Sequence, residues 1–213
     1  MLKVKRIVTN MVAENCYIVS DETREAVIID CGAYDAANEQ AIASYIEEEQ
    51  LHPVHQIYTH THFDHIFGCG FIANRYEVLP ECHPADAALY NNMDGQCQMF
   101  LGTANRHPMP ELGRLLNEGD EVTFGSHTLQ VIHTPGHTPG GICFYCAEEK
   151  VLFSGDSLFC MSIGRTDFPG GNYEQLVSSL RNKIMTLPAD VKVYSGHGEP
   201  TSVGFERENN PYF

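Results

Sequence analysis

The sequence predicts an α/β fold in which two β-sheets pack face to face and helices cover their outer faces. Two observations lead to this prediction: strand-like segments cluster in each half of the chain, and amphipathic helical segments accompany them. The 213-residue chain is 43% hydrophobic and 19% charged, which is typical of a globular protein with a sizeable core. It contains no linker, low-complexity stretch or literal repeat, so we predict a single domain over residues 1–213.

The first half of the chain combines short strands with one long helix. Apolar runs separated by polar turns predict strands over residues 2–8, 15–20, 25–30 and 54–58. Apolar residues on one face indicate a helix from Asp35 to about Gln50, which Pro53 ends. Beyond the histidine-rich turn we expect a helix over 66–76, a strand over 77–79, and a short helix with loops near the site mouth over 84–118.

The second half repeats the alternation. Predicted strands cover residues 121–124, 127–133, 141–146, 151–154 and 191–195. A glycine-rich loop spans 155–171, and Leu176, Leu180 and Ile184 at helical spacing predict a helix over 173–186. A short helix over 203–208 follows the last strand.

The charge of the chain disfavours two classes of partner. Its 28 acidic and 13 basic side chains give a formal charge of −15, so few Lys and Arg are available to neutralise nucleic acid or an anionic membrane. No apolar run reaches the length of a transmembrane helix, about eighteen residues. The N-terminal MLKVKRIVTN lacks the apolar core and cleavage site of a secretory signal. We therefore expect a cytoplasmic protein with no nucleic-acid and no membrane partner.

The eight cysteines are expected to be reduced in that compartment. Cys143 and Cys146 form a C-x-x-C pair, which is compatible with redox or zinc chemistry. However, the segment G-I-C-F-Y-C is apolar and aromatic, and a four-cysteine zinc site needs a second such pair. The pair is therefore predicted to belong to a buried strand.

The segment Y-T-H-T-H-F-D-H carries the strongest chemical signal. It places His60, His62, Asp64 and His65 within six residues at the end of an apolar strand. Imidazole nitrogens and carboxylate oxygens are ligands that zinc accepts. Residues two apart in an extended turn point the same way, so His60 and His62 can share one metal ion. Asp64 and His65, at a helix start, can turn towards a second.

Three later segments each place a further candidate ligand just beyond an apolar strand or its turn. These candidates are His137 in H-T-P-G-H-T-P-G-G, Asp156 in F-S-G-D-S-L-F and His197 in S-G-H-G-E-P-T. His133 is a weaker candidate, because a strand-end histidine can equally bond to the backbone. One metal ion cannot use seven protein ligands and keep an open position, whereas two ions can if one carboxylate is shared. The count therefore favours a dinuclear hydrolytic centre.

The motif T-H-T-H-F-D-H resembles the T-H-x-H-x-D-H signature of the metallo-β-lactamase superfamily, and the later segments follow in that family's order. The strings F-S-G-D-S-L-F and I-G-R-T-D-F-P-G-G are similar to those of its glyoxalase II-like branch. The resemblance implies a four-layer αββα sandwich with the metals at one edge. It also implies that His60, His62 and His137 hold the first metal, that Asp64, His65 and His197 hold the second, and that Asp156 bridges them.

The chain also departs from two-domain glyoxalase II enzymes. Those enzymes carry a C-terminal helical region that helps to hold glutathione, whereas this sequence stops shortly after His197. A lysine- and tyrosine-bearing loop of that group is replaced by residues 163–167, I-G-R-T-D. The chain therefore looks like the compact, single-domain hydrolases of the branch, without the C-terminal glutathione-binding domain.

The resemblance implies a binuclear thioester hydrolase acting on a small-molecule thioester such as an S-acyl or S-hydroxyacyl glutathione. A metal-bridging hydroxide would attack the thioester carbonyl, with Asp64 and Asp156 as the catalytic carboxylates. The expected cofactors are two divalent ions, zinc first, with iron or manganese as alternatives. Arg165 is a candidate contact for a substrate carboxylate or, equally, a structural partner of Asp167. Tyr145 and Tyr173 are further candidate pocket residues.

Several other activities compete with this expectation. Persulfide dioxygenases resemble the chain around R-T-D-F and use one iron held by two His and an Asp, but usually lack the G-H-G segment seen at His197. Lactonase activity is also compatible with the motifs, because the same hydroxide attacks lactone carbonyls. A secreted β-lactamase is disfavoured because many carry a cysteine where this chain has Asp156. A purely structural metal site is disfavoured because such sites are normally closed by four ligands.

Overall fold

Two mixed β-sheets form the centre of the computed structural model, which describes residues 1–213. The first sheet has the strand order β1-β2-β3-β4-β5, with antiparallel pairs at β1–β2–β3 and parallel pairs at β3–β4–β5. Its strands are β1 (Lys3–Thr9), β2 (Glu14–Ser20), β3 (Glu25–Ile29), β4 (His52–Ile57) and β5 (Pro80–Glu81).

The remaining strands form the second sheet and a small hairpin. They are β6 (Glu121–Phe124), β7 (His127–His133), β8 (Ile142–Cys146), β9 (Val151–Gly155), β10 (Leu158–Phe159), β11 (Ser162–Ile163), β12 (Lys192–Ser195) and β13 (Thr201–Ser202). The second sheet has the order β13-β12-β9-β8-β7-β6, in which only β9 and β12 pair in parallel. Strands β10 and β11 pair with each other outside it.

Seven α-helices accompany the sheets. They are α1 (Ala36–Glu48), α2 (Phe63–Ile66), α3 (Cys69–Tyr76), α4 (Ala87–Asn91), α5 (Met93–Leu101), α6 (Tyr173–Ser179) and α7 (Val203–Asn209). A 3₁₀ turn precedes α4 at Pro84–Asp86, and α6 continues into a π-helical turn at Leu180–Ile184. None of the helices is both long and apolar enough to cross a bilayer.

Alternation along the strands builds three apolar layers and confirms the αββα sandwich. On β2, Tyr17 and Val19 face the second sheet, whereas Cys16 and Ile18 face the core under α1 and α3. On β8, Phe144 points between the sheets. Its neighbour Tyr145 packs outward, in the core that contains Leu176 and Leu180. Both sheets are therefore covered on both faces.

The same alternation accounts for the C-x-x-C pair. Cys143 lies in the outer core and Cys146 between the sheets, so their side chains leave β8 on opposite faces. Both thiols are buried and unpaired. The buried-strand prediction is confirmed.

The predictions between residues 66 and 118 were only partly right. The expected helix over 66–76 is interrupted at Gly68, which packs so closely on Cys31 that an added Cβ would lie 2.5 Å from its Sγ. No strand forms over 77–79, because Glu77 ends α3 in the left-handed conformation and β5 starts at Pro80. The segment 84–118 contains more helix than expected, in α4 and α5.

A buried histidine links two turns of the sandwich and gives a pH-dependent stability. His127 Nδ1 lies 2.9 Å from Asp21 Oδ2, and its Nε2 lies 3.1 Å from Glu149 Oε1. Burial favours the neutral ring, but the hydrogen bonds with both carboxylates outweigh it and raise the pKa of His127. The stabilisation is therefore complete below the unfolded pKa, about 6.5, and is lost as the pH rises through the higher folded pKa.

We expect His127→Gln to lower the free energy of unfolding most near pH 6, with a difference from wild type that shrinks towards pH 9. Urea unfolding across that range measures it, and the exposed His52→Gln is the matched control. A difference that is constant or grows with pH would contradict the assignment of a stabilising positive charge to His127.

Candidate metal centre

The four candidate segments meet at one edge of the sandwich. His60 and His62 follow β4, and His137 lies in the turn after β7. Asp156 directly follows β9, and His197 follows β12. Strands β7, β9 and β12 run in the same direction in the second sheet, so their C-terminal ends lie at the same edge. The sheet topology therefore gathers residues that are more than a hundred positions apart in sequence.

The first group of ligand atoms belongs to three histidines. One ring nitrogen each of His60, His62 and His137 lies within 4.8 Å of the others. His62 Nδ1 and His137 Nε2 are 2.9 Å apart. The three side chains are buried. This is the donor set of a tris-histidine metal site.

The second group contains a carboxylate and two histidines. Ligand atoms of Asp64, His65 and His197 also lie within 4.8 Å of one another. His197 Nε2 is 3.2 Å from Asp64 Oδ2, and His65 Nε2 is 3.7 Å from the same oxygen. His65 is fully buried, whereas His197 is partly open to the cleft.

Asp156 lies between the two groups. Its Oδ1 is 3.3 Å from His65 Nε2 of the second group, and its Oδ2 is 3.6 Å from His137 Nε2 of the first. The same Oδ2 is 3.7 Å from His197 Nε2. Asp156 is thus the residue whose two carboxylate oxygens face both groups.

Three buried ligand atoms need a partner that the protein does not supply. His60 Nε2, His65 Nε2 and Asp156 Oδ1 have no hydrogen-bond partner. Buried polar atoms are almost always paired. Imidazole nitrogens and carboxylate oxygens at these separations match the donors of a divalent cation. The seven residues therefore fit metal binding.

The outward-facing histidine nitrogens fix how the rings are oriented. His65 Nδ1 lies 3.1 Å from Asp30 Oδ2, and His137 Nδ1 lies 2.7 Å from the Arg165 carbonyl oxygen. His197 Nδ1 lies 3.2 Å from the carbonyl oxygen of Val12. Each of these nitrogens donates its proton to the acceptor, so the Nε2 lone pair of each ring points into the site.

Protonation states in the site also suit metal binding. Burial and the neighbouring imidazoles hold the pKa of His60 well below its usual value. The same causes lower the pKa of His62 to about 3. Burial disfavours the charge on Asp156, but the attraction of the neighbouring His65, His137 and His197 outweighs it and lowers the pKa of that carboxyl. At neutral pH His60 and His62 are therefore neutral and Asp156 is ionised. Asp64 and Asp156 outweigh the effect of burial and raise the pKa of His65 and His197, so binding of the second ion would release protons from these rings.

Two glycines allow the ligand loops to approach each other. Gly155 has φ +48°, and an added Cβ there would lie 2.0 Å from Thr59 Oγ1. An added Cβ on Gly196 would lie 2.3 Å from Asp156 Oδ1 and 2.7 Å from His65 Cε1. Glycine just before Asp156 and just before His197 is thus required by space.

Several supporting residues escaped sequence reasoning. Asp30 accepts hydrogen bonds from the Thr59 backbone N–H and from Thr59 Oγ1, both at 2.7 Å, in addition to its contact with His65. His60 Nδ1 lies 3.2 Å from the same Thr59 hydroxyl. Asp30 therefore orients His65 directly and His60 through Thr59. It lies at the end of a strand, where a single acidic residue forms no distinctive sequence pattern.

Asp86 ties the first two ligand loops together. Its carboxylate accepts hydrogen bonds from the N–H of Gly140 at 2.6 Å, Thr138 Oγ1 at 2.8 Å and the N–H of Thr61 at 3.2 Å. Its backbone carbonyl accepts a hydrogen bond from Thr61 Oγ1. The side chain is fully buried, and burial raises its pKa.

The turn after β1 and the first residues of β2 hold the candidate ligands of the second group. Asn10 Nδ2 donates to the Asp64 carbonyl oxygen at 2.8 Å. Asn15 Nδ2 donates to the carbonyls of Ser195 and Gly198 at 3.0 and 2.9 Å, on either side of His197. The Asn15 N–H also donates to the Gly196 carbonyl at 2.7 Å.

The ligand atoms open onto a cleft of about 380 Å³. Among the candidate substrate contacts, only Arg165 lines it, and its guanidinium makes two 2.7 Å hydrogen bonds to Asp167 while stacking on Phe168. The structural pairing of Arg165 is therefore present. Tyr145 and Tyr173 do not line the cleft, which corrects their assignment as pocket residues.

The positions of the two tyrosines in β8 and α6 keep both side chains out of the cleft. Tyr145 lies two residues after Cys143 on β8, so both side chains leave the strand on the face that packs against the helix layer. Tyr173 starts α6 and is half exposed, near the ring of Tyr212. His133 does not join the ligands, because it stacks on His83 and its Nε2 contacts the Pro139 carbonyl oxygen.

The sequence matches known proteins over almost its whole length. A family model described as the metallo-beta-lactamase superfamily matches residues 10–197. The chain is 34% identical to hydroxyacylglutathione hydrolase GloC of Haemophilus influenzae, over 93% of this chain and 92% of that protein. It is 34% identical to the probable metallo-hydrolase YqgX of Bacillus subtilis, over 99% of this chain and 97% of that protein.

Solved structures give the same picture. BLEG-1, described as a B3 metallo-beta-lactamase, superposes with a TM-score of 0.90 at 34% identity, over 100% of this chain and 99% of that one. TTHA1623 in a di-iron-bound form superposes with a TM-score of 0.86 at 34% identity, over 99% of this chain and 100% of that one. ETHE1 from Myxococcus xanthus superposes with a TM-score of 0.78 at 29% identity, over 98% of this chain and 83% of that one.

Proposed function

This chain belongs to the metallo-beta-lactamase superfamily, and we propose that it is a metal-dependent thioesterase of the glyoxalase II-like kind. Its substrates would be S-acyl or S-hydroxyacyl glutathione or similar small thioesters. The observation that carries the proposal is the pair of ligand groups joined by Asp156 at the floor of an open cleft. The activity named for GloC supports the substrate class.

The seven ligands would hold two divalent ions. His60, His62 and His137 would hold the first, Asp64, His65 and His197 the second, and Asp156 would contact both. When bound, such ions supply an activated water as nucleophile and polarise the carbonyl oxygen of the substrate. Zinc is the first candidate, and the di-iron form of TTHA1623 makes iron the next to test.

The chain's own residues would position the reactants. Asp64 and Asp156 face the cleft, where their carboxylates orient the attacking water through hydrogen bonds. The carbon–sulfur bond of the thioester breaks, a carbon–oxygen bond to the water oxygen forms, and a carboxylic acid and a thiol are released. A thiol leaves readily because its pKa is about 8.5, so the site needs no strong general acid.

The direct test is thiol release from S-lactoylglutathione by purified protein, detected with a thiol-reactive dye. We expect turnover that disappears after metal removal by a chelator and returns with added zinc or iron. No hydrolysis of any thioester by metal-loaded protein would contradict the proposal. Parallel assays with a lactone, a β-lactam and oxygen uptake with a persulfide test the competing activities.

The second ligand group argues against the oxidative alternative. A dioxygenase of the kind described above uses a single iron, whereas here Asp64, His65 and His197 form a complete further group beside the three histidines. The G-H-G segment around His197 is held by two side-chain hydrogen bonds from Asn15.

Asn15 gives a selective test of that second group. We expect Asn15→Ala to weaken binding of the second ion by about 10- to 100-fold, since supporting residues of metal ligands typically contribute this much. The first ion should remain, because no ligand of the first group contacts Asn15. The measurement is metal per chain after dialysis against graded chelator.

The matched control for this variant is Asn182→Ala, which removes an exposed asparagine side chain that donates one hydrogen bond, to Ser178 Oγ. Equal weakening of both ions in Asn15→Ala, or no weakening, would contradict the role of Asn15 as a support of the second group.

Arg165 gives a test of substrate contacts. Because its guanidinium is already bonded to Asp167 and stacked on Phe168, we expect Arg165→Ala to raise KM by the same small factor for acidic and neutral thioesters. Steady-state kinetics on a glutathione thioester and on the same acyl group attached to N-acetylcysteamine measure this. A much larger KM increase for the glutathione thioester would show that Arg165 contacts a substrate carboxylate.

A further inference from the structure

A second cavity adjoins the metal cleft. It measures about 90 Å³ and shares His62, Phe100 and Phe168 with the main cleft. The remaining apolar lining comes from Leu89, Met99 and Pro169. We refer to it below as the side cavity.

The side cavity meets the main cleft at the rings of His62, Phe100 and Phe168, which line both. Phe100 and Phe168 meet edge to face with centroids 4.9 Å apart, and Phe63 stacks on Phe100 at 4.9 Å. Phe168 also meets His62 edge to face at 5.7 Å. The side cavity therefore begins at a candidate metal ligand, so a group inside it would lie within a few bonds of the reacting carbonyl carbon.

The side cavity is lined by no Asp, Glu, Lys or Arg. Its polar lining residues are His62, the exposed Asn92 and Gln96. Gln96 lines it, but its Oε1 accepts from the Phe63 N–H and its Nε2 donates to the carbonyls of Thr61 and Leu89. An ionised substrate group placed there would meet no side chain of opposite charge, which is costly, whereas an alkyl chain would lose nothing.

We propose that the side cavity is an acyl pocket, which takes a short, uncharged aliphatic acyl chain of the thioester. The inference rests on the proposed thioesterase function. A cavity of about 90 Å³ has the liquid volume of on the order of three waters, which suits a short alkyl chain and excludes a peptide or nucleotide. The larger thiol part therefore occupies the open side of the cleft.

The test is a series of thioesters with one thiol and growing acyl chains. Acetyl, butyryl and hexanoyl esters of N-acetylcysteamine should show kcat/KM rising by about fourfold per added methylene until the cavity is filled, which follows from the transfer free energy of a CH₂ group. A succinyl ester should fall well below the butyryl ester of the same length. A flat series would overturn the acyl pocket.

Two variants change the cavity in opposite directions. Leu89→Phe fills it and should lower the hexanoyl-to-acetyl ratio of kcat/KM by about fifteenfold, the value of roughly two buried methylenes. Phe100→Ala widens the junction between the side cavity and the main cleft and should move the optimum to longer chains. Phe71→Ala, a partly buried phenylalanine outside both cavities, is the matched control and should leave the ratio unchanged.

Binding of the carboxylate products separates the two proposals. Calorimetry with acetate, butyrate and hexanoate tests the cavity on the metal-loaded wild-type protein without turnover. Tighter binding of hexanoate with no hydrolysis of any thioester would overturn the thioesterase and keep the alkyl-binding cavity. Hydrolysis without chain-length dependence, together with equal binding of the three acids, would overturn the acyl pocket and keep the thioesterase.

Discussion

Replacing Asp156 with asparagine is expected to remove most of the bound metal and nearly all turnover while leaving the protein folded. The two carboxylate oxygens of Asp156 lie 3.3 Å from His65 Nε2 and 3.6 Å from His137 Nε2, so this residue faces both ligand groups. An amide keeps the shape but loses the negative charge and presents a donor where a cation should lie. We expect activity to fall more than about 100-fold, beyond the usual effect of a supporting residue.

The measurement combines turnover, metal per chain and the circular dichroism spectrum of the variant. Asp190→Asn is the matched control, because it neutralises an exposed aspartate that pairs with Lys150 at the surface and contacts none of the candidate ligands through a hydrogen bond. Unchanged activity in Asp156→Asn, with two ions still bound, would rule out the shared-carboxylate arrangement.

Removing the Asp86 side chain is expected to cause the largest loss of stability. Asp86→Ala would leave Thr61 N–H, Gly140 N–H and the Thr138 hydroxyl without their acceptor. Each unsatisfied buried group costs about 1–3 kcal/mol, so we expect the free energy of unfolding to fall by about 3 kcal/mol or more. Metal affinity should fall as well, because the loops carrying His62 and His137 lose their common support.

Urea unfolding of metal-free protein measures the free energy of unfolding, and chelator competition measures the metal affinity. Asp94→Ala is the control, since Asp94 is exposed and accepts one hydrogen bond, from the Asn105 N–H. A stability loss below about 1 kcal/mol, the net value of one ordinary hydrogen bond, would contradict the proposed role of Asp86.

The fold was predictable because its strands carry a local signal. Strands β6 and β7 fall at the predicted boundaries, and β2, β8 and β9 differ from prediction by one residue at one end. All are short apolar runs bounded by turn residues. The segment 84–101 was harder, because its helices are short and α5 is stabilised by tertiary contacts such as those of Gln96 with Phe63 and Thr61.

The candidate ligands were recognisable because they lie in dense motifs, and the structure brings all seven together. Their supports are isolated polar residues whose partners lie far away in sequence. Asn15 acts on residues 180 and 183 positions later, and Asp86 acts on Gly140, 54 positions later. No local spacing encodes such contacts. The wrong assignment of Tyr145 to the pocket has another origin. Strand alternation alone places its side chain on the face of β8 opposite Phe144, and that alternation was not applied in the assignment.

The most direct test of the dinuclear account is the metal content of freshly purified protein, measured by mass spectrometry with iron, zinc and manganese standards. The account predicts about two ions per chain, one for each ligand group. About one ion per chain, unchanged after reconstitution with excess zinc or iron, would contradict it.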